Sequence, residues 1–256
     1  MQIYVCVKHV PDSAANIIIV NENQIEQNIA FLLNPYDEHA VTCADQIKKD
    51  FTDTKVTAIC LGPKSAEKTI RSAMAMGADD GILIVSDEKH DSISTANALH
   101  AAISQTQKPD IIFTGKEAID TEGMQTMFRL GALFDFPVVN DAVDFKIKDN
   151  RAIVKSQIQG SLFNFYDISV PCVIGAGRDL NTPAYPTFPQ IVKAKKKIIK
   201  NIDLSDLNLS DTLGSGTKTI KLEPLLLNRS PKEIQGTPNQ IASKIIQILK
   251  EEAKVI

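Results

Sequence analysis

Four short apolar runs rich in β-branched residues punctuate the first half of the chain: IYVCVKHV from residue 3, VTAICL at 56–61, GILIV at 81–85 and DIIFTG at 110–115. Each is continuous rather than alternating, which is the pattern of strands covered on both faces of a parallel sheet. Stretches with helical spacing separate them, at about 35–49, 64–76 and 94–105. The first is the best marked: Asn34 is a good N-cap, Pro35 stands at the first helical position, and Ala40, Ala44 and Ile47 then fall on one face. Strands alternating with helices build a parallel sheet through βαβ crossovers. The expected class is therefore α/β, with a doubly wound, mostly parallel sheet.

After about residue 137 the pattern changes. VDFKI, AIVKSQI, LFNFYDI and CVIGA read as strands joined by short turns, which predicts antiparallel additions to the same sheet. Residues 177–197 read GRDLNTPAYPTFPQIVKAKKK, where Pro183, Pro186 and Pro189 lack amide donors and bias their predecessors toward extended geometry. Neither helix nor central strand is expected here; a stiff exposed loop is. It sets Tyr185 and Phe188 beside Lys193, Lys195, Lys196 and Lys197, a pairing of aromatic anchors with positive charge that suits protein docking. A solvated linker whose aromatics pack on their own domain has the same composition. Beyond Lys197 the run SDLNLSDTLGSGTK offers little to a core and reads as an arm. A last helix starts at the capping box Thr237-Pro238-Asn239-Gln240 and carries Ile241, Ile245, Ile248 and Leu249 as an apolar stripe. That stripe needs a surface, on this chain or on a second one. The division expected is an α/β domain at 1–192 and an arm with its helix at 193–256.

Composition narrows the classes. With 256 residues the chain can bury a sizeable core, and a net charge of −3 argues against an extended nucleic-acid footprint. No segment reaches membrane-spanning length, and the N-terminus enters its first strand without a basic n-region, so a cytoplasmic protein without membrane insertion is expected. Cys6, Cys43, Cys60 and Cys172 form no CxxC and read as reduced core thiols. His9, His39, His90 and His100 show no metal spacing, and no metal site is expected.

Ligands of open parallel sheets bind beyond the carboxyl ends of strands, near the point where strand order reverses. The residues expected there are Cys6 to His9, then Asn34, Pro35, Tyr36 and Asp37, then Leu61, Gly62 and Pro63, and above all Gly115, Lys116, Glu117, Ala118, Ile119 and Asp120. Gly115 would let the backbone turn sharply, and amides of the next helix, near Thr121, Glu122, Gly123, Met124, Gln125 and Thr126, would hold phosphate through unpaired donors. The same segment also reads as an ordinary βα turn. No Walker A motif, no GxGxxG after the first strand and no GxSxG elbow is present. Spacing assembles no catalytic acid and base, so the chemistry expected is that of a bound cofactor rather than of side chains.

Taken together, VCVKHVPD (5–12), NPYDEHAV (34–41), LGPKSAEKTIRSAMAMGADDGI (61–82), TGKEAID (114–120), VPCVI (170–174) and DLNTPAYPTFPQIVKAKKK (179–197) resemble the beta subunit of electron transfer flavoprotein, in order and spacing, from Met1 to about Lys200. The resemblance implies a Rossmann-like nucleotide-binding domain in a heterodimer with a larger alpha subunit that holds most of the redox FAD. It implies AMP, or a second FAD in bifurcating members, in a site of the beta chain lined by Cys6, Asn34 to Asp37, Leu61 and residues 115–126. It also implies electron delivery from flavin dehydrogenases of the acyl-CoA dehydrogenase type to a quinone-linked acceptor. The family's docking loop matches Tyr185, Phe188, Pro189, Ile191, Lys193 and Lys196, with Phe188 in place of the usual aliphatic anchor. The chain departs from the pattern at Met127, where a glycine is expected and a thioether would narrow the space for a phosphate. The competing class is an adenine-nucleotide-binding regulatory or stress-type module without a redox role, which gives no reason for the proline, aromatic and lysine segment. A nucleotide-activating ligase would need a glycine and serine loop where this chain has VKHVPD.

Overall fold

The computed structural model describes residues 1–26, 28–207, 209, 216–224 and 231–255. Along the chain the strands are β1 (Gln2–Cys6), β2 (His9–Pro11), β3 (Ile19–Asn21), β4 (Gln24–Ile25), β5 (Phe31–Leu33), β6 (Lys55–Gly62), β7 (Asp80–Val85), β8 (Ile111–Gly115), β9 (Val138–Lys148), β10 (Arg151–Gln159), β11 (Leu162–Ser169), β12 (Cys172–Ala176) and β13 (Ile199–Asp203). The helices are α1 (Pro35–Asp50), α2 (Glu67–Ala75), α3 (Ser92–Ser104), α4 (Thr126–Phe134), α5 (Phe188–Lys196) and α6 (Pro238–Glu251).

Nine strands form the central sheet, in the order β11-β10-β9-β12-β8-β1-β6-β7-β13. β1 pairs parallel with β6 on one side and β8 on the other, with Cys6 opposite Ile59 and Thr114. The chain builds outward from β1 through β6 and β7, then returns to place β8 on the opposite flank, so strand order reverses at β1/β8. β1, β8 and β12 are buried along their whole length, as their unbroken apolar runs require. Two cores flank the sheet. Ile3, Val5 and Val56 face Ala40, Ala44 and Ile47 of α1, Ile70 and Ala73 of α2 and Ala194 of α5; Tyr4, Ile59 and Ile112 face Leu99 and Ile103 of α3 and Leu130 of α4. The doubly wound α/β class is therefore observed.

Three elements differ from the sequence pattern. β12 was expected as an antiparallel addition, but it is parallel to both β8 and β9, inserted between them. β9 is long enough to serve two neighbours: Val138 and Val139 pair with β12, while Asp144 to Lys148 pair antiparallel with β10. Only β10 and β11 continue the antiparallel addition. The segment expected to exclude helix contains α5, because Pro189 stands in its first turn, where no intrahelical amide is needed, and Thr187 caps it: the Thr187 amide donates to Gln190 Oε1 at 2.7 Å. Past Lys197, Ile199–Asp203 pairs parallel with β7 as an edge strand, beyond the position where composition placed the start of an arm. A second compact unit runs from Lys221 to Ile256 and contains α6, which opens on the expected Thr237–Gln240 capping box.

Candidate functional site

The carboxyl ends of β1 and β8 are joined through the first turn of α1. Asn34 and Asp37 are both buried there. Asp37 Oδ2 accepts from the Lys8 amide at 2.7 Å, and Oδ1 accepts from the Gly115 amide at 2.9 Å and from Asn34 Nδ2 at 2.9 Å. Asn34 Nδ2 also donates to the Glu117 carbonyl at 2.9 Å, and Asn34 Oδ1 accepts from the Ile119 amide at 3.1 Å. Two side chains of α1 thus fix both loops. Burial pushes the Asp37 carboxyl up to about 7, against the pull of the Asn34, Lys8 and Gly115 donors and the Lys8 charge.

Packing against the start of α1 requires glycine at Gly115. A Cβ there would lie 2.4 Å from Asp37 Oδ1 and 2.7 Å from Tyr36 Cβ. The close approach that the glycine permits is to α1. Cys6 ends β1 as a buried thiol held above its ordinary range by burial and then by Asp37. Leu61 lies near the end of β6, packed at the edge of the α3 core. Burial and a hydrogen bond to Glu117 push the Tyr36 hydroxyl up, and Lys116 Nζ sits 5.4 Å from the Tyr36 ring centre and 3.3 Å from Asp141 Oδ2.

The helix expected to begin near Thr121 begins at Thr126. Residues 116–125 form an irregular loop, in which Glu122 and Met124 take φ of 49° and 48°. Asn34 holds the front of this loop, and the Thr121 and Glu122 amides bond back to the Ala118 carbonyl. No described residue accepts from the amides of Gly123 to Phe128, the last three of which are the orphan donors of α4's first turn. A Cβ on Gly123 would meet nothing within 4 Å, so this part of the loop is open. Met127, expected to crowd a phosphate, instead turns its side chain into the core, where its thioether packs against Gly175.

Lys8 lies within the 6–9 stretch that the sequence placed here, and the structure adds its partners: Nζ lies 2.7 Å from Asp120 Oδ1 and 3.3 Å from Thr121 Oγ1, tying the end of β1 to the loop after β8.

The proline and lysine segment lies elsewhere, on the α1 and α2 side. Tyr185 is 91% and Phe188 77% exposed; Pro189, Ile191, Lys193 and Lys196 share the exposed side of α5. Two anchors hold the segment. Asn181 Nδ2 donates to the His39 carbonyl at 3.0 Å, and the His39 ring contacts the Asn181 carbonyl at 2.9 Å through Nδ1. Arg71 Nη1 donates to the carbonyls of Ala194, Lys195 and Lys197 at 3.0, 3.1 and 3.2 Å, while Nη2 meets Glu67 at 2.5 Å. Neither anchor had a sequence signal, since Arg71 bonds across more than a hundred residues. Lys197 is not part of the exposed basic face: it donates to the Ala78 carbonyl at 2.8 Å. The aromatics therefore do not pack on their own domain as in a linker.

Among the described residues no cluster of His, Cys, Asp and Glu fits a metal ion, and no helix is long and apolar enough to cross a membrane. All four cysteines are free and buried; burial raises Cys43, Cys60 and Cys172 to about 12.

The family model of the electron transfer flavoprotein domain matches residues 23–207. The chain is 32% identical to the electron transfer flavoprotein subunit beta of Bacillus subtilis (strain 168), over all of both chains, and 31% identical to that of Dictyostelium discoideum, over all of this chain and 99% of the other. It is 30% identical to the caffeyl-CoA reductase-Etf complex subunit CarD of Acetobacterium woodii, over 98% of this chain and 99% of that one. With the strand order, the site at its reversal and the full-length matches in agreement, the chain belongs to the electron transfer flavoprotein beta-subunit family.

Proposed function

We propose that the chain works as the beta half of a heterodimer whose larger alpha subunit holds most of an FAD, and that the complex takes electrons from flavin dehydrogenases and passes them to a quinone-linked acceptor. The FAD supplies the redox chemistry; this chain supplies position and recognition and needs no catalytic acid or base. The observation that carries the reading is the exposure of Phe188 on a helix that Arg71 and the Thr187 cap hold in place. An aromatic presented on a fixed element loses little freedom on docking, and the lysines beside it steer an acidic partner toward it.

At the β1/β8 reversal the residues fit an adenine nucleotide, with AMP preferred and a second FAD the other occupant. The unpartnered amides from Gly123 to Phe128, the open space at Gly123 and the Lys8 ammonium supply donors for a phosphate. Asn34 and Asp37 act one step back, by holding the loops. The second unit, Lys221 to Ile256 with α6, is assigned to packing on the alpha subunit, since no residue of α6 is buried and its Ile245 is exposed.

Phe188→Ala tests the reading. In the purified complex it should slow reduction by the donor dehydrogenase by about tenfold or more, the loss of a hot-spot share of roughly 2 kcal/mol, and leave flavin content unchanged. Rapid-mixing reduction at equal rates for both forms would remove the docking role from this helix.

A further inference from the structure

We propose that Lys8 is a ligand for the nucleotide's phosphate and that Asp120 occupies its ammonium in the phosphate's place, so that loop carboxylate and nucleotide compete for one cation. The proposal rests on the nucleotide reading of the β1/β8 crevice. Lys8 springs from a fixed point: its amide donates to Asp37 and its carbonyl accepts from the Asn34 amide at 3.1 Å. Its side chain reaches across the crevice to Asp120 at 2.7 Å, with the two side chains 42% and 24% exposed.

The other cations of this region are committed to fixed partners. Lys116 is held by Asp141 and the Tyr36 ring, and Arg129 by Ser92 and Gln125. Lys8 differs in that its partner is a carboxylate on the loop that carries the unpartnered amides. An ion pair this exposed is weakly held. A phosphate brings more negative charge and more acceptor oxygens than one carboxylate, and an ammonium, a compact charge with three donors, can turn from one to the other. The amides of Gly123 to Phe128 would then bond the remaining phosphate oxygens, which Asp120 cannot reach for. Asp120 keeps the cation paired when no nucleotide is bound, at the cost of nucleotide affinity.

The two residues therefore have opposite mutational signs. With the full chain copurified with its partner subunit and stripped of nucleotide, calorimetric titration should show AMP affinity falling about tenfold or more in Lys8→Met and largely kept in Lys8→Arg. Asp120→Asn should bind AMP roughly threefold or more tighter, and this gain should vanish when Lys8→Met is added. Adenosine, which has no phosphate, should bind all forms alike. If Asp120→Asn weakens AMP binding, Asp120 supports the site and the proposal is overturned. Equal AMP affinity of Lys8→Met and the natural chain, each folded by thermal unfolding, overturns it while leaving the nucleotide reading intact. Failure of the natural chain to bind either AMP or a second FAD overturns both.

Discussion

Removing the Asp37 carboxylate would strand the buried Gly115 amide without an acceptor, a loss of about 1–3 kcal/mol at a point where β8 meets α1. Asparagine is the informative replacement, because it keeps the shape and cannot titrate. Burial raises the folded-state value of Asp37 to about 7, above that of an exposed aspartate. The stability linked to this group is therefore fully present below pH about 4 and is lost as pH rises through about 7. The advantage of the natural chain over Asp37→Asn should shrink across that window in denaturant unfolding. A difference that stays flat from pH about 4 to 8 would mean that the carboxyl titrates as an exposed one does. At this scale Asn34 and Asp37 were legible as residues at the strand ends, yet the backbone groups they hold lay 29 to 85 residues away, and hydrogen bonds of that span leave no local pattern. Gly115 was legible as a position that needs glycine, but not for whose sake.

Helix α5 shows how one local signal can be read twice with different results. TPNQ at 237–240 was recognised as a capping box, while TFPQ at 187–190, with the same threonine and glutamine, was read as loop because three prolines surround it. Two of those prolines, Pro183 and Pro186, lie outside the helix and only Pro189 is within it. A tertiary contact joins the Thr187 cap in stabilising the helix: Arg71 of α2 donates to the carbonyls of Ala194, Lys195 and Lys197 at its C-terminal end, the first of which also accepts from the Lys197 amide. Arg71→Met should keep the packing of the methylene stem and lose those bonds. Hydrogen exchange at the amides of residues 191–196 should then speed up about tenfold or more, while β1 and β8 keep their protection. Unchanged exchange in α5 would show that the Thr187 cap suffices.

For the molecule as a whole, β1, β6, β7 and β8 were legible because each is largely buried and reads as an unbroken apolar run. The directions of β9 and β12 were not, since CVIGA has the same burial in either sense and only the length of β9, shared between β12 and β10, settles the arrangement. β13 was hidden by its charges: an edge strand with Lys200, Asn201 and Asp203 has no reason to look apolar.

The burial of the cysteines has a consequence for the surroundings in which such a carrier works. A flavin that hands on electrons in air also leaks them to oxygen, and the peroxide so formed attacks thiolates rather than thiols. With Cys43, Cys60 and Cys172 raised to about 12 and Cys6 raised as well, this chain presents oxidants with neutral sulfur enclosed by packed side chains. Its resistance to sulfenic acid formation is then set by how often the sheet opens, not by a scavenger nearby. A thiol-reactive dye should label none of the four cysteines in the folded chain and all four in denaturant, with labelling in between tracking global unfolding. Fast labelling of even one under native conditions would mean that its sulfur is reached without global unfolding.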